Sequence, residues 1–222
     1  PSFGKLRQIT ELNLSENALQ FLPPEIGELV NLMELNLRKN QLTSLPDDFS
    51  GLSGLIVLDL SGNRLITIPP EALKLGLLEE LDLSLNELSS VKFPGESLSS
   101  LRKLEMEGNR IKSANSIFII SSLEELNLKR NKIERIEESI QNLGSLRYLN
   151  LSENRIYSVS KKIGKLRQVE YIDLSNNKIR LIPKEVSKLS SLKEINLQRN
   201  SLSDFQKKNV KKYLPGGVAV KF

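Results

Sequence analysis

Nine times along the chain, apolar residues fall in the same places around an asparagine. Asn17, Asn40, Asn63, Asn86, Asn109, Asn131, Asn154, Asn177 and Asn200 lie 23 residues apart, with one step of 22 between Asn109 and Asn131. Apolar side chains stand eight, five and three positions before each, and a Leu or Ile two positions after. Leu32, Leu35, Leu37 and Leu42 show the pattern, as do Val169, Ile172, Leu174 and Ile179. Self-similarity at such a period marks a stacked-repeat architecture. Within a unit, Leu35-Asn36-Leu37 alternates with a period of two, which predicts a short strand with its leucines on one face. One such strand cannot bury that face alone, whereas stacked copies form a parallel sheet over a continuous core. Parallel neighbours need a crossover, and 23 residues allow one compact turn out and back.

The unit L-x-x-L-x-L-x-x-N-x-L resembles that of the leucine-rich repeat family, from about Ile9 to the C-terminus. Leu22-Pro23 to Leu29, Leu45-Pro46 to Leu52 and Ile182-Pro183 to Leu189 look like the 23-residue class of bacterial and Ras-associated repeat proteins. The resemblance implies an α/β solenoid, a horseshoe with a parallel concave β-sheet and an irregular or short-helical convex side. It also implies that each Asn amide bonds backbone groups of adjacent turns, satisfying polar groups that would otherwise be buried alone. Pro follows Leu22, Leu45 and Ile68 but is missing from the next four units, whose convex sides are expected to differ.

Residues 1–222 read as one domain: a truncated first unit over 1–8, nine repeats over 9–202 and a cap over 203–222. Phe3, Leu6 and Ile9 match Ile26, Leu29 and Leu32, so the chain opens partway through a unit. It starts with Pro1, which fits a removed leader or upstream segment as well as a trimmed beginning. An uncovered N-terminal edge would admit a second copy of the chain. Phe93-Pro94-Gly95 and the short unit around Ala114 to Phe118 form an irregular waist where curvature is expected to change. At the C-terminus, Ser203 and Asp204 can start a helix through Tyr213, with Phe205, Val210 and Tyr213 inward and Lys207, Lys208, Lys211 and Lys212 in water. The 23-residue count then puts Val218 and Val220 on the two strand positions of a degenerate tenth strand, a closure that argues against a further C-terminal domain.

Composition narrows the chemistry. There is no Cys, His or Trp, which removes disulfides, Cys/His metal sites, cysteine nucleophiles and a histidine base. No apolar run approaches the roughly 18 residues of a membrane span. The net charge of +5 hides an asymmetry: residues 1–111 carry 10 basic and 16 acidic side chains, residues 112–222 carry 22 and 11. Paired carboxylates on an open slope lack the desolvated acid a glycosidase needs, and no base accompanies Ser61, Ser84 or Ser152. Neither an enzyme activity, a cofactor, a metal nor a small-molecule substrate is expected. The N-L-S triplets at Asn13 and Asn150 match a glycosylation acceptor but arise from the repeat.

The side chains between the strand leucines should point out of the concave face. Tyr148 and Tyr171 become adjacent rungs with Arg147 beside them, a composition typical of interface hot spots, although tyrosine also suits strand surfaces. Met33, Ile56 and Val57, with Glu34, form an apolar patch in the N-terminal half. Asp59, Glu80, Asp82, Glu105 and Glu107 crowd carboxylates near the waist, for a cation, a basic partner or simply water. Lys161, Lys162, Lys165, Arg167, Lys184, Lys188 and Lys193 make the C-terminal end basic, as a polyanion site or as a solubilising rim. The resemblance implies a protein-recognition scaffold whose partner docks on the concave face through Tyr148, Tyr171, Arg147, Met33, Val57 and Glu34. A secreted or surface bacterial host-interaction protein is favoured, with a cytoplasmic location as the alternative. The alternatives are an anion-binding module for polyanion, nucleic acid or membrane surface through Lys161, Lys162, Lys165, Lys184 and Lys188, or the recognition part of a larger enzyme. Nucleic acid is disfavoured because stacking aromatics are missing from the basic patch.

Overall fold

The leucines three residues apart and the asparagine that follows them build the molecule one turn at a time. The computed structural model describes residues 6–93 and 98–222. Its strands are β1 (Glu11–Asn13), β2 (Glu34–Asn36), β3 (Val57–Asp59), β4 (Glu80–Asp82), β5 (Lys103–Glu105), β6 (Glu125–Asn127), β7 (Arg135–Ile136), β8 (Tyr148–Asn150), β9 (Ser158–Val159), β10 (Tyr171–Asp173), β11 (Glu194–Asn196) and β12 (Ala219–Lys221). Ten of them form one parallel sheet in the order β1-β2-β3-β4-β5-β6-β8-β10-β11-β12. The remaining two, β7 and β9, pair in parallel as a separate two-stranded sheet. Behind the main sheet runs a continuous apolar core that includes the leucines at all three positions before each Asn from the second unit onward. In the first unit Ile9, Leu12 and Leu14 are only half-buried.

The asparagines do what the repeat implies. Asn63 Nδ2 donates to the carbonyls of Leu37 and Leu60, each at 3.0 Å, and its Oδ1 accepts from the backbone N–H of Leu42 at 3.0 Å. Each amide thus ties its own turn to the preceding one, and the arrangement recurs from Asn40 to Asn200. The 22-residue step does not interrupt it. Asn131 Nδ2 reaches the Met106 and Leu128 carbonyls at 2.9 and 3.1 Å, and β5 and β6 keep their register, Leu104 opposite Leu126. The missing residue is taken up on the convex arc, where Ile117 and Phe118 both donate to the Ala114 carbonyl and Phe118 is fully buried. Across the waist the main sheet therefore continues unbroken. Phe93 is buried, while Pro94 and Gly95 lie outside the described residues.

The convex side departs from expectation. Short 3₁₀ turns form at Pro24–Glu28, Asp47–Gly51 and Lys184–Lys188, after Pro, and at Ala72–Lys74. But equivalent turns also form at Glu138–Asn142 and Lys161–Lys165, in units that lack the proline. Glu137 and Ser160 hold the same extended backbone there (φ −84° and −63°); Ser160 Oγ accepts from the Lys162 N–H, so capping replaces a fixed φ in that unit, while the Glu137 turn forms with no side-chain cap. Only the fourth and fifth units, among the described residues, lack such a turn. Neighbouring turns pack backbone to backbone: a Cβ on Gly164 would lie 2.3 Å from the Glu185 carbonyl oxygen, so this position tolerates glycine alone.

The C-terminal cap confirms the helix, α1 (Asp204–Tyr213), with Ser203 Oγ accepting from the Gln206 N–H. Two details change. Phe205 is 69% exposed, and the face toward the last repeat is instead made by Val210 and Leu214, with Tyr213 half-buried. One turn of α1 separates residues by 3.6 positions, so 210, 213 and 214 share a face that 205 misses. The tail pairs as Ile195 opposite Val220, and Leu197 donates to the Lys221 carbonyl. The register is two residues later than a 23-residue count gives, because the helix needs a longer arc. A shift of two preserves the alternation, so Val218, Val220 and Phe222 still pack against the core.

Candidate partner-binding face

The outward positions of the ten-stranded sheet supply the site. Tyr148 and Tyr171 are directly paired rungs of β8 and β10, both partly exposed. They border a depression of about 540 Å³ with Glu105, Glu125, Arg147 and Glu170 also on its walls. Burial pushes the Tyr148 phenol above its ordinary pKa. Glu34 and Val57 are paired rungs of β2 and β3, and Met33 precedes them, half-exposed. The two clusters lie four strand spacings apart on the same face, roughly 19 Å. The structure therefore brings the six predicted contact residues to one surface, as two groups rather than one.

Arg147 is less free than the sequence suggests. It stands in a column one position before the outward tyrosines, whose rungs run Glu79, Arg102, Glu124, Arg147, Glu170 and Lys193. Arg102 approaches Glu79 at 3.9 Å and Glu124 at 3.2 Å, and Arg147 meets Glu170 at 2.7 Å; Lys193 closes on the same Glu170. Hydrogen bonds from Lys193 and Arg147 hold the Glu170 carboxyl below its usual range. Lys193 Nζ also lies 5.8 Å over the Tyr171 ring. The ladder is legible in the sequence as alternating charge at 22- and 23-residue spacing, a signal that reading only the outward columns passes over.

The column four residues before each Asn is mostly structural. Asn13, Asn36, Asp59, Asp82, Asn127, Asn150, Asp173 and Asn196 each accept, through Oδ1, the backbone N–H two residues on. Asn150 is buried and also takes the Ser152 hydroxyl at 2.7 Å, which removes its N-L-S as an accessible acceptor. Glu105 is the exception in this column. Burial raises the carboxyls of Asp82 and Glu105 above their ordinary pKa. A folded-state pKa above the unfolded value means that ionised Asp82 costs stability at neutral pH, a cost that fades as pH falls through the raised pKa. Asp82→Asn, which keeps the Oδ1 acceptor, is expected to raise the melting temperature at pH 7 and to lose that advantage toward pH 4; equal shifts at both pH values would contradict it.

The basic residues lie elsewhere. Lys161, Lys162 and Lys165 belong to one 3₁₀ turn and Lys184 and Lys188 to the next, on the convex side. Among the described residues no cluster of three or more acidic side chains is arranged to hold a metal ion, and no helix is long and apolar enough to cross a membrane.

This architecture is matched by its relatives. Residues 7–65, 53–111, 114–156 and 149–202 match the leucine rich repeat family, and the chain belongs to it. It superposes on a leucine-rich repeat protein of Leptospira interrogans with a TM-score of 0.93 at 35% identity, over 99% of this chain and 56% of that one. The chain thus spans little more than half the length of that relative. It is similar at 27% identity to a chain in an octameric complex of Latrophilin 3, Unc5D and FLRT2 (TM-score 0.85, covering 97% of this chain and 70% of that one). At the same identity it is similar to a chain of a TLR13–ssRNA13 complex (TM-score 0.82, 90% and 30%). No curated protein matches it by sequence.

Proposed function

We propose that the chain is a non-enzymatic recognition scaffold that docks a protein partner on its concave face, as part of a secreted or surface protein of a bacterium. The observation that carries this reading is the pair of partly exposed tyrosines on adjacent rungs, beside an open depression and four strands from a second, apolar cluster. Tyrosine offers a large, rigid contact area at low entropic cost, which is why it dominates interface centres. The ten-strand face extends over about 45 Å, enough for the roughly 800 Å² per partner of a specific complex. The likeness to a chain in the Latrophilin 3, Unc5D and FLRT2 assembly supports a protein partner, and the Leptospira relative supports a bacterial setting. For location, the test is the gene sequence upstream of Pro1, where an export signal is expected.

Docking is tested with a photo-crosslinking amino acid placed at Tyr171, at Met33 or at the convex Ser50. Crosslinks to one protein are expected from Tyr171 and Met33 and none from Ser50; crosslinking from Ser50 alone would overturn the assignment. The basic convex turns support a second reading, an anion-binding surface, since Lys161, Lys165, Lys184 and Lys188 are all exposed on adjacent turns. Salt-steep retention on a polyanion column, abolished by Lys161→Ala with Lys165→Ala, is its signature.

A further inference from the structure

The charge of the docking face is opposite to that of the whole protein. The three outward columns, six, four and two residues before each Asn, carry ten carboxylates: Glu11, Glu34, Asp59, Glu80, Asp82, Glu105, Glu107, Glu125, Asp173 and Glu194. Against them stand only Arg38, Lys103 and Lys129 in those columns, in a chain whose net charge is +5. Lys129 is already shared between Glu107 and Glu153, at 3.6 and 3.5 Å, and Glu194 is paired with Lys221 at 2.6 Å. Glu80, Glu105 and Glu125 make no ion pair among the described residues. The excess of lysine and arginine over acid is thus displaced to the convex turns, the cap helix and the edges, and the sheet presents a negative field to whatever approaches it.

Within that field the two tyrosines of the depression differ. On Tyr171 the ring face already carries a cation, Lys193 Nζ at 5.8 Å. Tyr148, one rung away, has no cation over its ring among the described residues. Its neighbour in register is Glu125, followed one strand further by Lys103, while Glu105 stands in the adjacent row opposite Asn127. Both carboxylates and both rings line the same open depression. We infer that the partner presents a lysine- or arginine-rich segment, with one basic side chain seated over Tyr148 against Glu125 and Glu105. A guanidinium or ammonium there gains the attraction of the ring face together with two carboxylates. Complementary charge along the rest of the face speeds encounter and sets orientation. The same field disfavours a polyanion on this face, whatever the convex lysines bind.

This inference rests on the concave face being the docking surface, and its test is separable from the crosslinking experiment. A fluorescent peptide of six Gly-Arg repeats, with a Gly-Ser peptide as control, is titrated into the whole chain at low salt and read by anisotropy. Saturable binding of the arginine peptide alone is expected. Glu105→Gln with Glu125→Gln should weaken it about tenfold, from two lost charge pairs. Tyr148→Ala should weaken it about threefold, with Tyr148→Phe near wild type because the ring rather than the hydroxyl is used. Lys161→Ala with Lys165→Ala should leave it unweakened. Circular dichroism melts confirm that each variant is folded.

No binding of the arginine peptide overturns the inference, as does binding that the Glu105→Gln, Glu125→Gln pair leaves unchanged. Concentration-dependent dimerisation of the chain that this same pair abolishes would also overturn it, since the face would then take the lysine-rich end of a second copy. Crosslinks from Tyr171 to a protein without peptide binding would keep the docking surface and remove only the basic segment.

Discussion

Leu128→Ala is expected to lower the unfolding free energy by about 2–5 kcal/mol, the range for truncating a fully buried leucine in a core that relaxes only partly. Leu128 is completely buried three residues before Asn131. Its counterparts in the adjacent turns are Met106 and Leu151, also completely buried, so the cavity opens in the middle of the stack. The backbone remains held, because the Leu128 N–H donates to the Asn150 carbonyl at 2.8 Å. The loss therefore reports side-chain packing. Lys129, the next residue, points outward and pairs across the surface at 3.5 and 3.6 Å. Lys129→Ala should change stability by no more than about 0.5–1 kcal/mol. Urea denaturation of both variants gives the comparison, and equal losses would mean that the strand does not turn its leucine inward.

Asn131→Ala is the second large effect, of about 3 kcal/mol, and it has a different origin. It removes one accepted and three donated hydrogen bonds at once and orphans the buried Ile111 N–H, whereas the Met106 and Leu128 carbonyls keep the Asn109 and Asn154 amides as donors. The orphaned Ile111 N–H costs about 1–3 kcal/mol and the lost donated bonds add to it, partly recovered where water enters. The position also tests the 22-residue step, since Asn131 is the rung that spans it. Amide exchange separates the two variants: the Ile111 N–H should exchange much faster in Asn131→Ala than the change in global stability accounts for. In Leu128→Ala its protection should fall only with global stability. Protection of Ile111 retained in Asn131→Ala would show another acceptor for that amide.

The positions of the proposed docking face were partly legible in the sequence. That Tyr148 and Tyr171 are neighbours follows from their 23-residue spacing alone, and so does the pairing of Glu34 with Val57. What the spacing cannot say is which outward residues are already engaged. Arg147 reads as a free contact residue, yet Glu170 holds it. The column of Asn and Asp reads as an exposed surface, yet all of its members apart from Glu105 brace their own turns. These are choices among rotamers and partners that only a three-dimensional neighbourhood makes.

The cap shows the same division. A serine before an acidic residue and a run of helix formers predicts α1, because capping is local. Whether Phe205 or Leu214 faces the last repeat, and whether Val218 or Val220 sits opposite Ile195, depends on how the helix packs on the turn at Lys184–Lys188, and periodicity does not encode that.

Periodic information is what the chain writes plainly. Leucine spacing and a recurring asparagine suffice for the parallel sheet, its register through nine turns and the hydrogen-bonded asparagine ladder, because each repeat needs only the identical repeat beside it to bury its face. The length of the arc through the cap, the 3₁₀ turns that form without proline and the choice of partner within each outward column arise between residues that differ from turn to turn. Their energies depend on which side chains are brought within a few ångströms of each other, and it takes the folded stack to bring them there.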